Sequence, residues 1–194
     1  MTRHMTLKLL TAAVVTAMSA QAFAFEPKGK VDCIAPADPG GGWDFTCRSV
    51  GKILSELDFV PGNVQTINMA GAGGGVAFAH TVSKRAGDEQ LLVAASTATT
   101  TRLAQGQFPG MNQDQVEWIG ALGADYGAIA VSKDSPYNTL SEVMDALKKD
   151  PKSVKFAGGS AAGGWDHLKV LIAAQAADVE NLPKVSYLSY NNGG

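Results

Sequence analysis

Apolar positions in the first half of the chain fall into two rhythms. Residues 31–35, 64–69 and 90–95 are short apolar runs bounded by turn-forming residues, the pattern of buried strands. Between them, Val50, Ile53, Leu54 and Leu57 recur at i, i+3, i+4 and i+7, which predicts a helix with one stripe packed on a sheet. Residues 76–84, rich in small side chains, predict a second helix lying close to its neighbours. The order is strand, helix, strand, helix, strand with short links such as Pro61-Gly62-Asn63, so the expected fold is α/β with a parallel sheet covered by helices.

The second half repeats the theme less completely. After a polar, irregular stretch at 105–115, residues 116–122 and 128–131 read as two more strands and as a crossover into a second lobe. Thr139-Leu140-Ser141-Glu142 is a capping box, and Leu140, Val143, Met144 and Leu147 carry the helical stripe until Asp150-Pro151 ends it. Residues 154–157 predict a strand, Leu168, Leu171 and Ile172 a helix, and residues 184–188 a last strand. The chain then runs into Asn191-Asn192-Gly193-Gly194, a loop composition, and the expectation is a second lobe that is incomplete.

Glycine-rich turns stand where these strands lead into helices. Pro39-Gly40-Gly41-Gly42-Trp43-Asp44 follows the first strand, and Asp44 or Thr46 is placed to cap the helix after it. The first-turn N–H groups of such a helix lack partners and carry the positive end of its dipole, which suits an anion. The tetrapeptide Gly41-Gly42-Trp43-Asp44 recurs as Gly163-Gly164-Trp165-Asp166 at an offset of 122 residues, so two walls of one site are expected. Each tryptophan, set after a Gly-Gly pair, is read either as a core aromatic or as cleft lining. The second and third strands end in Gly71-Ala72-Gly73-Gly74-Gly75 and in the hydroxyl run Ser96-Thr97-Ala98-Thr99-Thr100-Thr101. In open parallel sheets, ligands sit beyond these carboxyl ends.

Nucleotide and hydrolase motifs fail on spacing. Gly71-Ala72-Gly73-Gly74-Gly75 is followed by Val76, where G-x-G-x-x-G needs glycine, and no G-x-x-x-x-G-K-[ST] occurs. Gly158-Gly159-Ser160-Ala161-Ala162 approaches the nucleophile elbow G-x-S-x-G but ends in alanine. A secreted hydrolase using Ser160 is kept as an alternative. Asp166 and His167 read as a helix start, and His80 as a packed or surface residue.

Charge and targeting narrow the class further. Arg3 and Lys8, an apolar and small-residue run over 9–18, and Ala22-Phe23-Ala24 form a secretory signal at residues 1–24, its apolar run well short of the ~20 residues of a spanning helix. Its removal takes two bases and no acid, so 16 basic against 18 acidic residues becomes 14 against 18. That mild negative balance, without a basic cluster, argues against a nucleic-acid partner. Cys33 and Cys47 are the only cysteines and are expected to bridge in an oxidising compartment, the alternative being two buried thiols. Two cysteines with no histidine nearby make no metal framework.

The order of signal, Ala35-Pro36-Ala37-Asp38-Pro39-Gly40-Gly41-Gly42-Trp43-Asp44, Asn68-Met69-Ala70-Gly71-Ala72-Gly73-Gly74-Gly75, and Gly158-Gly159-Ser160 ahead of His167 resembles the periplasmic receptors of tripartite tricarboxylate transporters, the Bug receptors. The resemblance spans the chain after its signal and about the first two thirds of such a receptor. It implies a type II periplasmic binding protein, with a first lobe at 25–122 and a partial second lobe at 123–194, each a sheet flanked by helices. It further implies a monomeric receptor, without cofactor or catalytic residues, that closes on a small carboxylate and delivers it to integral membrane permease subunits. Carried onto this chain, the lining becomes Pro39, Gly40, Gly41, Gly42, Trp43, Asp44, Ala72, Gly73, Ser96, Thr97, Gly159, Ser160, Gly163, Gly164 and His167. The Pro-Gly-Gly-Gly-Trp-Asp form is more similar to tricarboxylate-type than to amino-acid-type members, which points to a citrate-like ligand. Asp44 is expected to cap its helix and not to touch a carboxylate, since two anions repel. A solute sensor for a signalling partner would share every one of these residues.

Overall fold

The computed structural model describes residues 26–124 and 126–190; the signal at 1–24 lies outside the described residues. Three strands, β1 (Asp32–Ala35), β2 (Gln65–Asn68) and β3 (Leu91–Val93), form a parallel sheet in the order β2-β1-β3. Asp32 lies opposite both Gln65 and Leu91, and Ala35 opposite Asn68, so the three strands finish at one level. Helix α1 (Gly42–Glu56) joins β1 to β2, α2 (Gly75–Lys84) joins β2 to β3, and α3 (Thr97–Ala104) follows β3. The predicted strand–helix alternation and parallel pairing are therefore present.

Helix α1 turns a different face inward from the predicted one. Asp44, Cys47 and Gly51 are buried, whereas Ile53 and Leu57 of the expected stripe are 53% and 58% exposed. Small residues set the distance. A Cβ added at Gly51 would lie 2.8 Å from the Cβ of Val64, so the helix rides directly on the start of β2. Cys47 is fully buried and joined to Cys33 by a disulfide that pins α1 to β1. Beside this bridge pack Ala35, Ala94, Val64, Leu92 and Trp43. A second cluster forms where Phe78 of α2 meets Leu103 of α3 and Phe108.

The hydroxyl run after β3 is helical and not a turn. Ser96 is its N-cap, accepting a hydrogen bond from the Ala98 N–H at 3.2 Å, and Thr99 returns the contact to the Ser96 N–H at 3.5 Å. The strands expected at 116–122 and 128–131 are absent among the described residues: both stretches are irregular and unpaired. A strand needs a neighbour to take its alternate N–H and C=O groups. No described strand pairs with these residues, and Ile119, Leu122 and Tyr126 are exposed.

The second half holds α4 (Leu140–Lys149), β4 (Lys155–Gly158), α5 (Trp165–Ala176) and β5 (Ser186–Ser189), with β4 and β5 paired in parallel. The capping box is present, Thr139 Oγ1 accepting from the Glu142 N–H while Glu142 Oε2 accepts from the N–H groups of Asn138 and Thr139. Val143, Met144 and Leu147 enter a core with Phe156, Val170, Ala174, Val179 and Val185. The inner face of α5 is Val170 and Ala174, with Ile172, one of the apolar positions that predicted this helix, exposed. Among the described residues no helix is long and apolar enough to cross a membrane.

Candidate functional site

The turns after β1 and β2 meet each other, and the turn after β2 and helix α3 meet the turn that follows β4. Trp43, in the first turn of α1, lies against Gly74: a Cβ there would sit 3.6 Å from the indole edge. A Cβ at Gly73 would sit 3.2 Å from that of Ala161. From α3, Arg102 Nη1 donates to the Ala162 carbonyl at 2.8 Å and Gln105 Nε2 to the Gly163 carbonyl at 3.0 Å. Trp43 is thus half core and half wall, touching both the disulfide cluster and the second turn.

The α1 turn is built around Asp44. Its carboxylate accepts from Arg48 Nε at 2.8 Å, from the Gly40 N–H at 3.0 Å and from Asn68 Nδ2 at 2.9 Å. Asn68 also donates to the Ala37 carbonyl, fastening the end of β2 to the same loop. The Arg48 guanidinium first, then the Gly40 N–H and Asn68, hold the Asp44 carboxyl well below the usual carboxylate range. The expectation that Asp44 or Thr46 caps α1 is corrected. Gly41 is the N-cap and makes no side-chain bond, Asp44 reaches back past it to Gly40, and Thr46 donates to the Gly42 carbonyl. A carboxylate three residues into a helix can reach backward in this way. The consequence is an acid whose carboxylate is occupied by its helix, its loop and the neighbouring strand. Among the described residues, the N–H groups of Gly42, Trp43 and Asp44 have no hydrogen-bond partner, as expected for the first turn of a helix.

The turn after β2 is conformationally demanding. Gly71, Ala72, Gly73 and Gly74 have φ of +128°, +50°, +62° and +95°, four successive residues in a region that L side chains rarely adopt. Three are glycines for that reason. Ala72 alone carries a side chain there, and it is exposed.

The repeated Gly-Gly-Trp-Asp tetrapeptide does not repeat in register. In the first copy the Gly41 carbonyl takes the first helical bond, from Phe45; in the second it is Gly164, from Leu168. Asp166 therefore stands one position nearer its helix start than Asp44 does, and its partner is Lys169 Nζ at 2.9 Å. Ser160 fills the role of cap for α5, its Oγ accepting from the Asp166 N–H at 3.0 Å and lying 3.3 Å from the Tyr187 hydroxyl. His167 Nδ1 accepts from the Gly163 N–H at 2.9 Å, and its ring stacks on Tyr187 at 4.6 Å between centroids. Burial pushes its pKa down. The Ser160 hydroxyl is hydrogen-bonded to the helix start and to Tyr187, and His167 to the turn, so the pair does not form the nucleophile–base contact that a serine hydrolase requires.

Pro39, Gly40 and Gly42 are exposed on the first turn, Gly41 is buried beneath them, and Ser96 and Thr97 are exposed at the start of α3. Gly159, Ser160 and Gly163 are half-buried in the turn after β4, with Gly164 buried. Arg102, Gln105, Asn68 and Tyr187 escaped the sequence reading. Asn68 at the end of an apolar strand was the one visible signal, since a polar side chain there must find partners.

No protein-family model matches the chain, and no curated protein does. Its fold matches solved structures. One, described as a periplasmic transporter, gives a TM-score of 0.65 at 19% identity over 87% of this chain and 54% of its own. The periplasmic binding protein BugD gives 0.59 at 19% identity, covering 86% of this chain and 53% of its own. A TctC solute-binding protein from Polaromonas, solved without ligand, gives 0.51 at 21% identity over 88% and 55%. The chain thus spans about half the length of the structures it matches, less than the two thirds expected from the motifs. Its α/β architecture of parallel sheets flanked by helices is about half of the type II periplasmic binding protein fold.

Proposed function

We propose that this chain belongs to the periplasmic receptors of tripartite tricarboxylate transporters, exported by residues 1–24, and binds a small di- or tricarboxylate of the citrate kind. The observation that carries this reading is the convergence of glycine turns: Trp43 on Gly74, Gly73 on Ala161, and the open N–H groups of Gly42, Trp43 and Asp44 at the start of a 15-residue helix. Helix N-termini and bare backbone turns suit an anion small enough to be wrapped by main chain. A carboxylate needs neither metal nor general base for this, so the protein acts as a binder and not as an enzyme. The fold it shares with solved periplasmic binding proteins supports the same conclusion.

In this reading the site lies between a first lobe at 25–122 and a second at 123–194, lined by the loop from Pro39 to Trp43, by Ala72 and Gly73, by Ser96 and Thr97, and by the turn from Gly159 to Gly164 with His167. Asp44 contributes through the shape of the loop, its own carboxylate being occupied by Arg48, Gly40 and Asn68. Closure on the ligand would present a loaded surface, distinct from the empty one, to permease subunits in the membrane. The test is a thermal-shift screen of the purified protein against citrate, other tricarboxylates, dicarboxylates and amino acids. A rise in melting temperature with a carboxylate supports the reading. The absence of any shift with carboxylates refutes it.

A further inference from the structure

Arginine is scarce in the described chain, and two of its three arginines are spoken for. Arg48 bonds Asp44, and Arg85 bonds Asp88 and Asp32. Arg102 faces no carboxylate among the described residues, and its one hydrogen bond runs from Nη1 to the Ala162 carbonyl. Its Nε is buried without a partner. A buried, unpaired charged N–H is costly, and a group of this kind in a native fold calls for a ligand or water to complete it. With Nη1 engaged, the Nε–Nη2 edge remains, and that edge matches the two oxygens of a carboxylate.

Two glycines flank this guanidinium. A Cβ at Gly73 would stand 3.7 Å from Arg102 Nε, and one at Gly163 would stand 3.4 Å from Nη1. Glycine on both sides leaves the group flanked by backbone, between the turn after β2 and the turn after β4. The acids of the two Gly-Gly-Trp-Asp turns, Asp44 and Asp166, have Arg48 and Lys169 as partners.

We infer that Arg102 is the charged anchor of the site and takes one carboxylate of the ligand on its Nε–Nη2 edge, while Nη1 holds the second glycine turn in place around it. This rests on the reading of the site as a carboxylate receptor and adds what that reading lacked, a fixed positive charge. It selects ligands with at least two carboxylates, one for Arg102 and one for the backbone N–H groups at the start of α1.

Isothermal titration of purified wild type, Arg102→Ala, Arg102→Lys and Gln105→Ala with citrate and with succinate tests the assignment. Arg102→Ala is expected to weaken the carboxylate that wild type binds by about 10- to 100-fold, the effect of losing a charge-assisted hydrogen bond. Arg102→Lys, which keeps the charge without the fork, should recover part of the loss. Gln105→Ala removes a neighbouring bond to the same turn without removing a charge and should weaken binding less than Arg102→Ala does. Equal losses in Arg102→Ala and Gln105→Ala would assign both side chains to holding the turn and overturn the inference, as would undiminished binding by an Arg102→Ala protein that melts like wild type. A wild type that binds neither probe nor any other carboxylate would overturn the receptor reading itself, a result visible before any variant is made.

Discussion

Cutting the Cys33–Cys47 bridge is the most direct test of how α1 is held. The two residues are separated by 14 positions, so the bridge closes a loop of about 15 residues in the unfolded chain. Loop-closure entropy for that length is worth about 3 kcal/mol at 25 °C. For a chain of this size about 3 kcal/mol corresponds to a fall in melting temperature of roughly 6–12 °C. Both sulfurs are buried, so the native protein should resist reductant until it opens, and reductant should act by lowering the urea midpoint. The assay is urea unfolding followed by circular dichroism, for wild type with and without reductant and for the Cys33→Ala, Cys47→Ala double variant. Alkylation of the urea-unfolded chain, read by mass spectrometry, counts free thiols. The expected outcome is no alkylation without reductant and a destabilised double variant whose midpoint no longer responds to reductant. Two alkylated cysteines in non-reduced wild type, or a midpoint indifferent to reductant, would refute the bridge in favour of two buried thiols.

Other outcomes follow from the packing. Gly51→Ala pushes a methyl to 2.8 Å from the Cβ of Val64; overpacking costs about 1–3 kcal/mol and helix propensity returns roughly 1, so a net loss of about 0–2 kcal/mol in urea unfolding is expected, and Val64→Ala, which keeps that Cβ, should not recover it. Leu147→Ala empties a fully buried position in the second core and should cost about 2–5 kcal/mol by the same measurement; a loss below about 1 would contradict that packing. His167 has a folded pKa held below its unfolded value by burial, so the unfolded chain binds its proton more readily. Stability from this group is full above the unfolded value and is lost as pH falls through the folded one, where protonation also removes the acceptor for the Gly163 N–H. Melting temperatures from pH 8 to 5 should show this slope in wild type and a flatter one in His167→Gln. An unchanged slope would remove His167 as its source.

Strand positions and parallel pairing were legible in the chain because they rest on short-range facts. Apolar runs of strand length, turn residues at their ends and helical periodicity between them leave few alternatives. The Thr139–Glu142 box was legible for the same reason, as its bonds lie within a few residues. The glycine turns were found, at the ends of β1, β2 and β4.

What the sequence could not determine is which atoms face each other across the fold. The inner face of α1 followed Cys47 and Gly51 and not the larger Ile53 and Leu57, because a close approach to β2 admits only small side chains. Residues 116–131 have the apolar content of strands, but a strand exists only where a neighbour takes its hydrogen bonds. The Gly-Gly-Trp-Asp repeat predicted two equivalent jaws, and tertiary contacts made them different: Asp44 is tied into its loop by Asn68 from the next strand, while Ser160 caps the other helix from six residues away. Arg102 shows the limit most clearly. In the chain it is one base after a run of threonines; in the fold it is an unpaired guanidinium between two glycine turns 29 and 61 residues from it in sequence, brought there by the packing of α3 against the turn after β4.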